Sequence, residues 1–171
     1  MMQKTISLIT TGFMLLSTAF GVLAEATSVG NQMPDPAQYT GLSRKVLQYS
    51  ESFNQIVKKI KEPGFSNADW APLEDLVDTE NFERMGVFLT PQAEIIGWAQ
   101  YKKYVSEYAG ATSWEGTLRR ITEKPGLVIL ELEERNSRDG VTNFSNTVTI
   151  YEFNGEGKLK HLDVYVMPLP R

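Results

Sequence analysis

Few residues of this chain could move a proton. Its one histidine, His161, alternates with Leu162, Val164 and Val166 and so shares a face with Asp163 and Tyr165. Imidazole, carboxyl and phenol side by side form a set that can do acid–base work near neutral pH. Two other carboxylates stand out by position. Glu134 has the parity of Val128, Leu130 and Leu132 in an alternating run, and Glu94 falls just before a helical stretch. Each is a candidate pocket-mouth carboxylate, although such a residue is more often a solvated strand-end charge. The most informative feature is an aromatic stripe. Trp98, Tyr101, Tyr104 and Tyr108 recur at helical spacing, and Thr147, Thr149 and Tyr151 share one face of a later strand. Plain core packing accounts for Trp98. Several tyrosine hydroxyls on one buried face need partners, which a cavity with water or a polar-tipped ligand supplies and a tight aliphatic core does not.

Eight residues therefore form the candidate ligand-binding set: Tyr101, Tyr104, Tyr108, Thr147, Thr149, Tyr151, Leu162 and Val164. Hydroxyls orient a ligand, but tyrosine with a pKa of about 10 is a poor base at neutral pH. Other chemistries lack their residues. The chain has no cysteine, hence no disulfide, thiol nucleophile or Cys-based zinc site, and one histidine among scattered acids makes no metal constellation. There is no phosphate-binding loop and no GxGxxG, so no cofactor is expected. A net charge of −4 argues against a nucleic-acid surface. The run Glu131-Leu132-Glu133-Glu134-Arg135 reads most simply as a solvated face.

The elements that must position these groups follow from periodicity. With 42% hydrophobic and 22% charged residues, the composition is that of an ordinary globular domain. Ser43 is placed to cap a helix carrying Val46, Leu47, Phe53, Ile56, Val57 and Ile60, which Pro63-Gly64 ends. Asn67 or Asp69 starts a second helix with Trp70, Leu73, Leu76 and Val77 on one side. Residues 82–90 look extended up to Pro91, and 97–109 form a third helix. After Gly110 the period changes from 3.6 to 2. Strands are expected over 114–123, 127–135, 141–153 and 158–167, separated by turns at Lys124-Pro125-Gly126, Asp139-Gly140 and Asn154 to Gly157. Helices first and an antiparallel meander second make an α+β domain.

The first 24 residues stand apart. Lys4 is their only charge, an apolar run from Ile6 to Phe20 follows, and Val22-Leu23-Ala24 presents compact side chains before Glu25. That is the layout of a cleaved secretory signal peptide. The uncharged stretch is just long enough to span a bilayer, but Gly12, Gly21 and its hydroxyl residues make a poor span. Residues 25–41, with two prolines and two glycines, read as a flexible lead-in, and 42–171 as the single folded domain. The expected product is exported, periplasmic or secreted, with no stable membrane insertion after cleavage.

The order helix, helix, strand, glycine-opened helix, four antiparallel strands resembles the NTF2-like superfamily, the cone fold of SnoaL-type polyketide cyclases and ketosteroid isomerases. The resemblance is carried by Gly97 followed by Tyr101, Tyr104 and Val105, and by the ending Tyr151-Glu152-Phe153-Asn154-Gly155-Glu156-Gly157-Lys158-Leu159, over about residues 42–167. It implies three N-terminal helices on a curved antiparallel sheet, with Leu162, Val164 and Val166 on the concave wall. His161, Asp163 and Tyr165 would then point outward, where the resemblance implies a homodimer interface. An isomerase of this family needs an acid on the penultimate strand and a base near the mouth. Thr149 and, by a count from Gly97, Phe88 stand in those places, so isomerase activity does not carry over. With the leader, the reading this favours is an exported domain of that fold that binds a small apolar ligand or associates with itself or another protein, without chemistry of its own. The alternative is a SnoaL-like isomerase, cyclase or dehydratase acting on a cyclic ketone or polyketide-like substrate through Glu94 or Glu134.

Export has a direct check. The intact mass of protein purified from its native host should correspond to a chain beginning at Glu25, and a product that retains Met1 and needs detergent for extraction overturns the leader assignment.

Overall fold

In the computed structural model, residues 30–87 and 92–170 are described. The expected leader, the start of the lead-in and the stretch containing Phe88 lie outside them.

The first helix, α1 (Gly41–Lys59), buries Val46, Leu47, Tyr49, Ser50, Ile56 and Val57 along one side. Ser43 is not its cap. The helix begins two residues earlier, after Thr40, whose side chain makes no capping bond. The cap arrives instead from 80 residues away. Glu123 accepts the backbone N–H of Leu42 at 3.2 Å and that of Ser43 at 2.8 Å, together with the Ser43 hydroxyl at 2.7 Å. A carboxylate on the unpaired N–H groups of a helix start satisfies donors that nothing inside the helix can reach. Gly41 makes the approach possible: its φ is +61°, and a Cβ there would stand 2.6 Å from Glu123 Oε1.

The second helix starts as expected near Asn67, where Ser66 and Asp69 form a reciprocal capping box. A 3-10 turn (Asn67–Trp70) leads into a single turn of α2 (Ala71–Glu74). Leu76 and Val77 are not helical. Their N–H groups donate to Leu73 O and Glu74 O in a closing turn, at 3.0 and 3.2 Å, while Leu76 O accepts Leu159 N and Asp78 N donates to Leu159 O, both at 2.9 Å. Helix α3 (Trp98–Ala111) matches the expected third helix.

The strands are β1 (Glu83–Val87), β2 (Ala93–Gly97), β3 (Ser113–Lys124), β4 (Leu127–Arg138), β5 (Val141–Phe153) and β6 (Leu159–Pro168). Three helices pack on this curved six-stranded sheet, ordered β2-β1-β6-β5-β4-β3. All its pairings are antiparallel except β1 with β6, which is parallel. Strand β2 was not expected. It is a five-residue edge strand whose Ile95 is exposed while Ile96 is buried, too short to show a period. At the Asp139-Gly140 hairpin both residues have positive φ, 52° and 77°, as a tight hairpin turn requires.

The described part of the lead-in is tied down. Gln32 N donates to Gly116 O at 2.8 Å, and Asn31 Oδ1 accepts Gly116 N at 3.1 Å. Arg135 anchors the same segment and corrects the reading of its charged run as solvated. It is only 5% exposed and reaches Gly30 O at 3.0 Å, Glu115 at 3.2 Å, Glu133 at 3.3 Å and Thr117 Oγ1 at 3.0 Å. The lead-in covers a guanidinium that the bare sheet face would have left in water.

The Glu123 cap makes a stability prediction. Accepting bonds from Ser43 and Leu42 holds its carboxyl below the usual range. Its contribution is therefore present above about pH 4.3 and is lost as the pH falls through the lower folded value. Because the group is exposed, Glu123→Ala should cost roughly 0.5–1 kcal/mol, about 2–4 °C in Tm at pH 7. Thermal unfolding at pH 7 and pH 3 checks this: a gap that fails to narrow at pH 3 overturns the cap.

Candidate functional site

Between α1, α3 and the inner face of the sheet lies a cavity of about 380 Å³, a size that suits a small molecule. Each element contributes by its period. From α1 come Tyr49, Ser50 and Phe53, and from α3 come Tyr101, Val105 and Tyr108. The sheet supplies Arg84 from β1, Trp114 from β3, and Leu132, Glu134 and Asn136 from β4. Ser145, Thr149 and Tyr151 follow from β5, and Leu162, Val164 and Val166 from β6. Within each of β4, β5 and β6 these positions are an even number of residues apart, so one face of the pleat lines the cavity.

The inner wall is apolar with embedded hydroxyls. Tyr49 and Tyr101 share a hydrogen bond of 2.7 Å between their hydroxyls, both buried. Tyr49 also meets Tyr151 edge-on, with ring centroids 5.9 Å apart. Burial pushes the phenols of Tyr49, Tyr101 and Tyr151 above the ordinary tyrosine value. Near the mouth, Tyr108 donates a short hydrogen bond to Asn136 Oδ1. Burial first, and then the nearby Glu134 charge, raise Tyr108 to about 12.

Two ionisable groups interrupt this wall. Burial raises the Glu134 carboxyl above the usual range, opposed by the polar atoms of Thr147, Trp114 and Asn136. The residue keeps some accessible surface, but its carboxyl looks into the cavity. Arg84 is only 8% exposed. Burial lowers its guanidinium, opposed by Tyr101 and Tyr49. Among the described residues no cluster of three or more His, Asp or Glu could hold a metal ion.

Of the eight residues in the sequence-derived ligand set, Tyr101, Tyr108, Thr149, Tyr151, Leu162 and Val164 line the cavity. Tyr104 does not. At 100° per residue it lies about 60° around the helix from Tyr101, on the flank that faces β2. There its hydroxyl donates to Glu94 Oε2 at 3.2 Å, so Glu94 too is occupied outside the cavity. Thr147 has the inward parity but is 2% exposed and lies behind the lining; its Oγ1 is buried with no partner in hydrogen-bond geometry. His161, Asp163 and Tyr165 fall on the opposite face of β6 from Leu162 and Val164. There His161 Nε2 lies 2.8 Å from Asp163 Oδ1, and its Nδ1 lies 3.5 Å from Glu83. Tyr165 is half exposed.

The sequence reading passed over Arg84, Tyr49, Ser50, Trp114, Asn136 and Ser145. Tyr49 was legible in principle, since 46, 49, 53, 56 and 57 follow one helical face. Asn136 shares the parity of Glu134. Arg84 lies between Glu83 and Met85 in a stretch too short to phase, and no local pattern marks it as inward.

The raised Glu134 carboxyl costs the folded state stability once it ionises. Folding favours its neutral form, so stability is lost as pH rises through the folded value. Glu134→Gln should therefore raise Tm at pH 8, with the difference shrinking toward zero at pH 4. Melting curves at the two pH values check this, and a difference that does not depend on pH overturns the burial argument.

No protein-family model matches this chain, and no curated protein matches it. Solved structures do. An NTF2-like protein of unknown function from Exiguobacterium sp. 255-15 superposes with a TM-score of 0.54 at 14% identity, covering 74% of this chain and 99% of that one. A protein from Rhodopseudomonas palustris assigned as an isomerase gives 0.55 at 10% identity, over 71% and 88% of the two chains. One from Xanthomonas campestris pv. campestris assigned as a polyketide cyclase gives 0.51 at 16% identity, over 72% and 88%. Identities this low speak for the backbone alone. Helices over a curved sheet, the cavity between them and these superpositions agree: the chain has the NTF2-like cone fold.

Proposed function

We propose that the protein binds a small, largely apolar carbonyl compound in the cone cavity and that Glu134 moves a proton on it. The observation that carries this reading is a carboxyl group inside the cavity whose affinity for protons burial has raised. A base poised closer to neutral pH can take a proton from carbon next to a carbonyl and return it elsewhere. The charge that develops on the carbonyl oxygen needs donors, and the wall offers phenols. The Tyr49 and Tyr101 hydroxyls, 2.7 Å apart, are O–H groups of the kind that stabilise such a charge by donating to it. The assignments of isomerase and polyketide cyclase among the structural neighbours are in keeping with such chemistry. With the leader removed, the protein would do this outside the cytoplasm.

A second reading, binding without turnover, is favoured by one observation. Among the described residues lining the cavity Glu134 is the only one with a carboxyl, and the histidine lies on the outer face beside Asp163. One experiment separates the two. Exchange of α-protons for deuterium in a panel of cyclic ketones is followed by NMR, in parallel with binding of the same compounds. Wild type should accelerate exchange of a compound it binds. Glu134→Gln should slow that exchange by roughly 100-fold or more while leaving its affinity within about threefold. Exchange that survives the substitution overturns the role of Glu134, and binding without any acceleration by wild type establishes the second reading.

A further inference from the structure

The geometry points to a ligand that carries its own acidic group: we infer that the cavity takes a small apolar carboxylic acid as its anion, with the carboxylate on Arg84. This rests on the cavity being a ligand site, and adds the chemical class of what enters it.

Three observations support it. Among the described residues lining the cavity Arg84 is the only basic one, and at 8% exposure its charge lies inside the protein. A guanidinium presents a planar fork of N–H donors that fits a carboxylate in two-point contact, and removal from water strengthens that contact. The second observation is the room made for it. Arg84 Nη1 lies 3.2 Å from where a Cβ on Gly86 would sit, and Gly86 has a φ of +148° with that Cβ only 2.9 Å from Val164 O. Glycine here lets the guanidinium lie along β1 toward the level of Val164.

The third observation is the distance between the cavity's two polar ends. Gly86 pairs with Val164, Val164 with Thr149, and Thr149 with Leu130. Glu134 is four residues farther along β4, roughly 13 Å at about 3.3 Å per residue, and strands β6 and β5 lie between β1 and β4. Arg84 and Glu134 thus mark opposite ends of one apolar space rather than an ion pair. A molecule with a carboxylate at one end, an apolar body against Leu162 and Val164, and its reacting group at the other would span them.

The test compares 2-naphthylacetate with its primary amide, a pair of nearly equal shape, by fluorescence titration of wild type and of Arg84→Gln. Wild type should bind the carboxylate roughly 10- to 100-fold more tightly than the amide, the span expected of hydrogen bonds to a charged group. In Arg84→Gln that preference should vanish, with amide affinity within about threefold of wild type. Equal binding of acid and amide by wild type overturns the acidic-ligand inference and leaves the cavity reading standing. Failure of wild type to bind either compound overturns both. A preference for the acid that persists in Arg84→Gln places the carboxylate elsewhere and overturns the role of Arg84. Should the variant not fold, the ratio of the two affinities in wild type decides by itself.

Discussion

The register of the central ladder is the constraint on which the site depends. Val128 pairs with Tyr151, Tyr151 with Leu162, and Leu162 with Arg84, so one row crosses four strands. Every second residue along each strand then faces the helices. A slip of one residue in β6 would turn Leu162 and Val164 outward and bring His161 and Asp163 into the cavity. The register is set from both ends: the Asp139-Gly140 turn fixes β4 against β5, and the Asn154 side chain, accepting from Glu156 N and Lys158 N, fixes β5 against β6.

The helices close the open side of this sheet through two kinds of contact. One is aromatic: Trp98 lies near Trp70, Phe82 and Tyr101, with ring centroids 5.2–6.2 Å apart, and joins α3 to the second helical segment and the approach to β1. The other is polar. Glu123 holds the start of α1 at the end of β3, and Glu74 takes both Trp98 Nε1 and Lys102 Nζ, at 3.0 and 2.8 Å. Aromatic packing supplies non-directional burial, whereas the polar contacts fix where each helix begins and how it lies. Between these anchors the tyrosines leave space instead of filling it, because each ring carries a hydroxyl that must keep a polar partner.

The charges sort by face. On the outer side, Arg135 is enclosed by Glu115, Glu133 and the lead-in, a network in which the cation has its counter-charges at hand. On the inner side, Glu134 and Arg84 sit at a distance from one another, each shifted by burial toward its neutral form. Adjacent residues of one strand, Glu134 and Arg135, thus meet opposite electrostatic conditions because the pleat sends them to opposite faces.

The sequence alone determined the order of the elements other than β2, because their periods of 3.6 and 2 and the turn residues between them are local properties. It also determined the parity of Glu134, Thr149, Tyr151, Leu162 and Val164, and six of the eight residues in the ligand-binding set line the cavity. Tertiary structure decided what no local pattern encodes. Tyr104 has the right spacing, yet the angle at which α3 lies on the sheet gives it to Glu94. Leu76 and Val77 have helical spacing, yet Leu76 O accepts Leu159 N and Val77 bridges to Leu159, so β6 draws the chain out of the helix there. The cap of α1 comes from Glu123, 80 residues on, and no local rule relates the two. Arg84 reads as an ordinary surface charge until parallel pairing of β1 with β6 turns it inward. Contacts between residues distant in the chain depend on how the layers meet, and that is settled by the whole core at once.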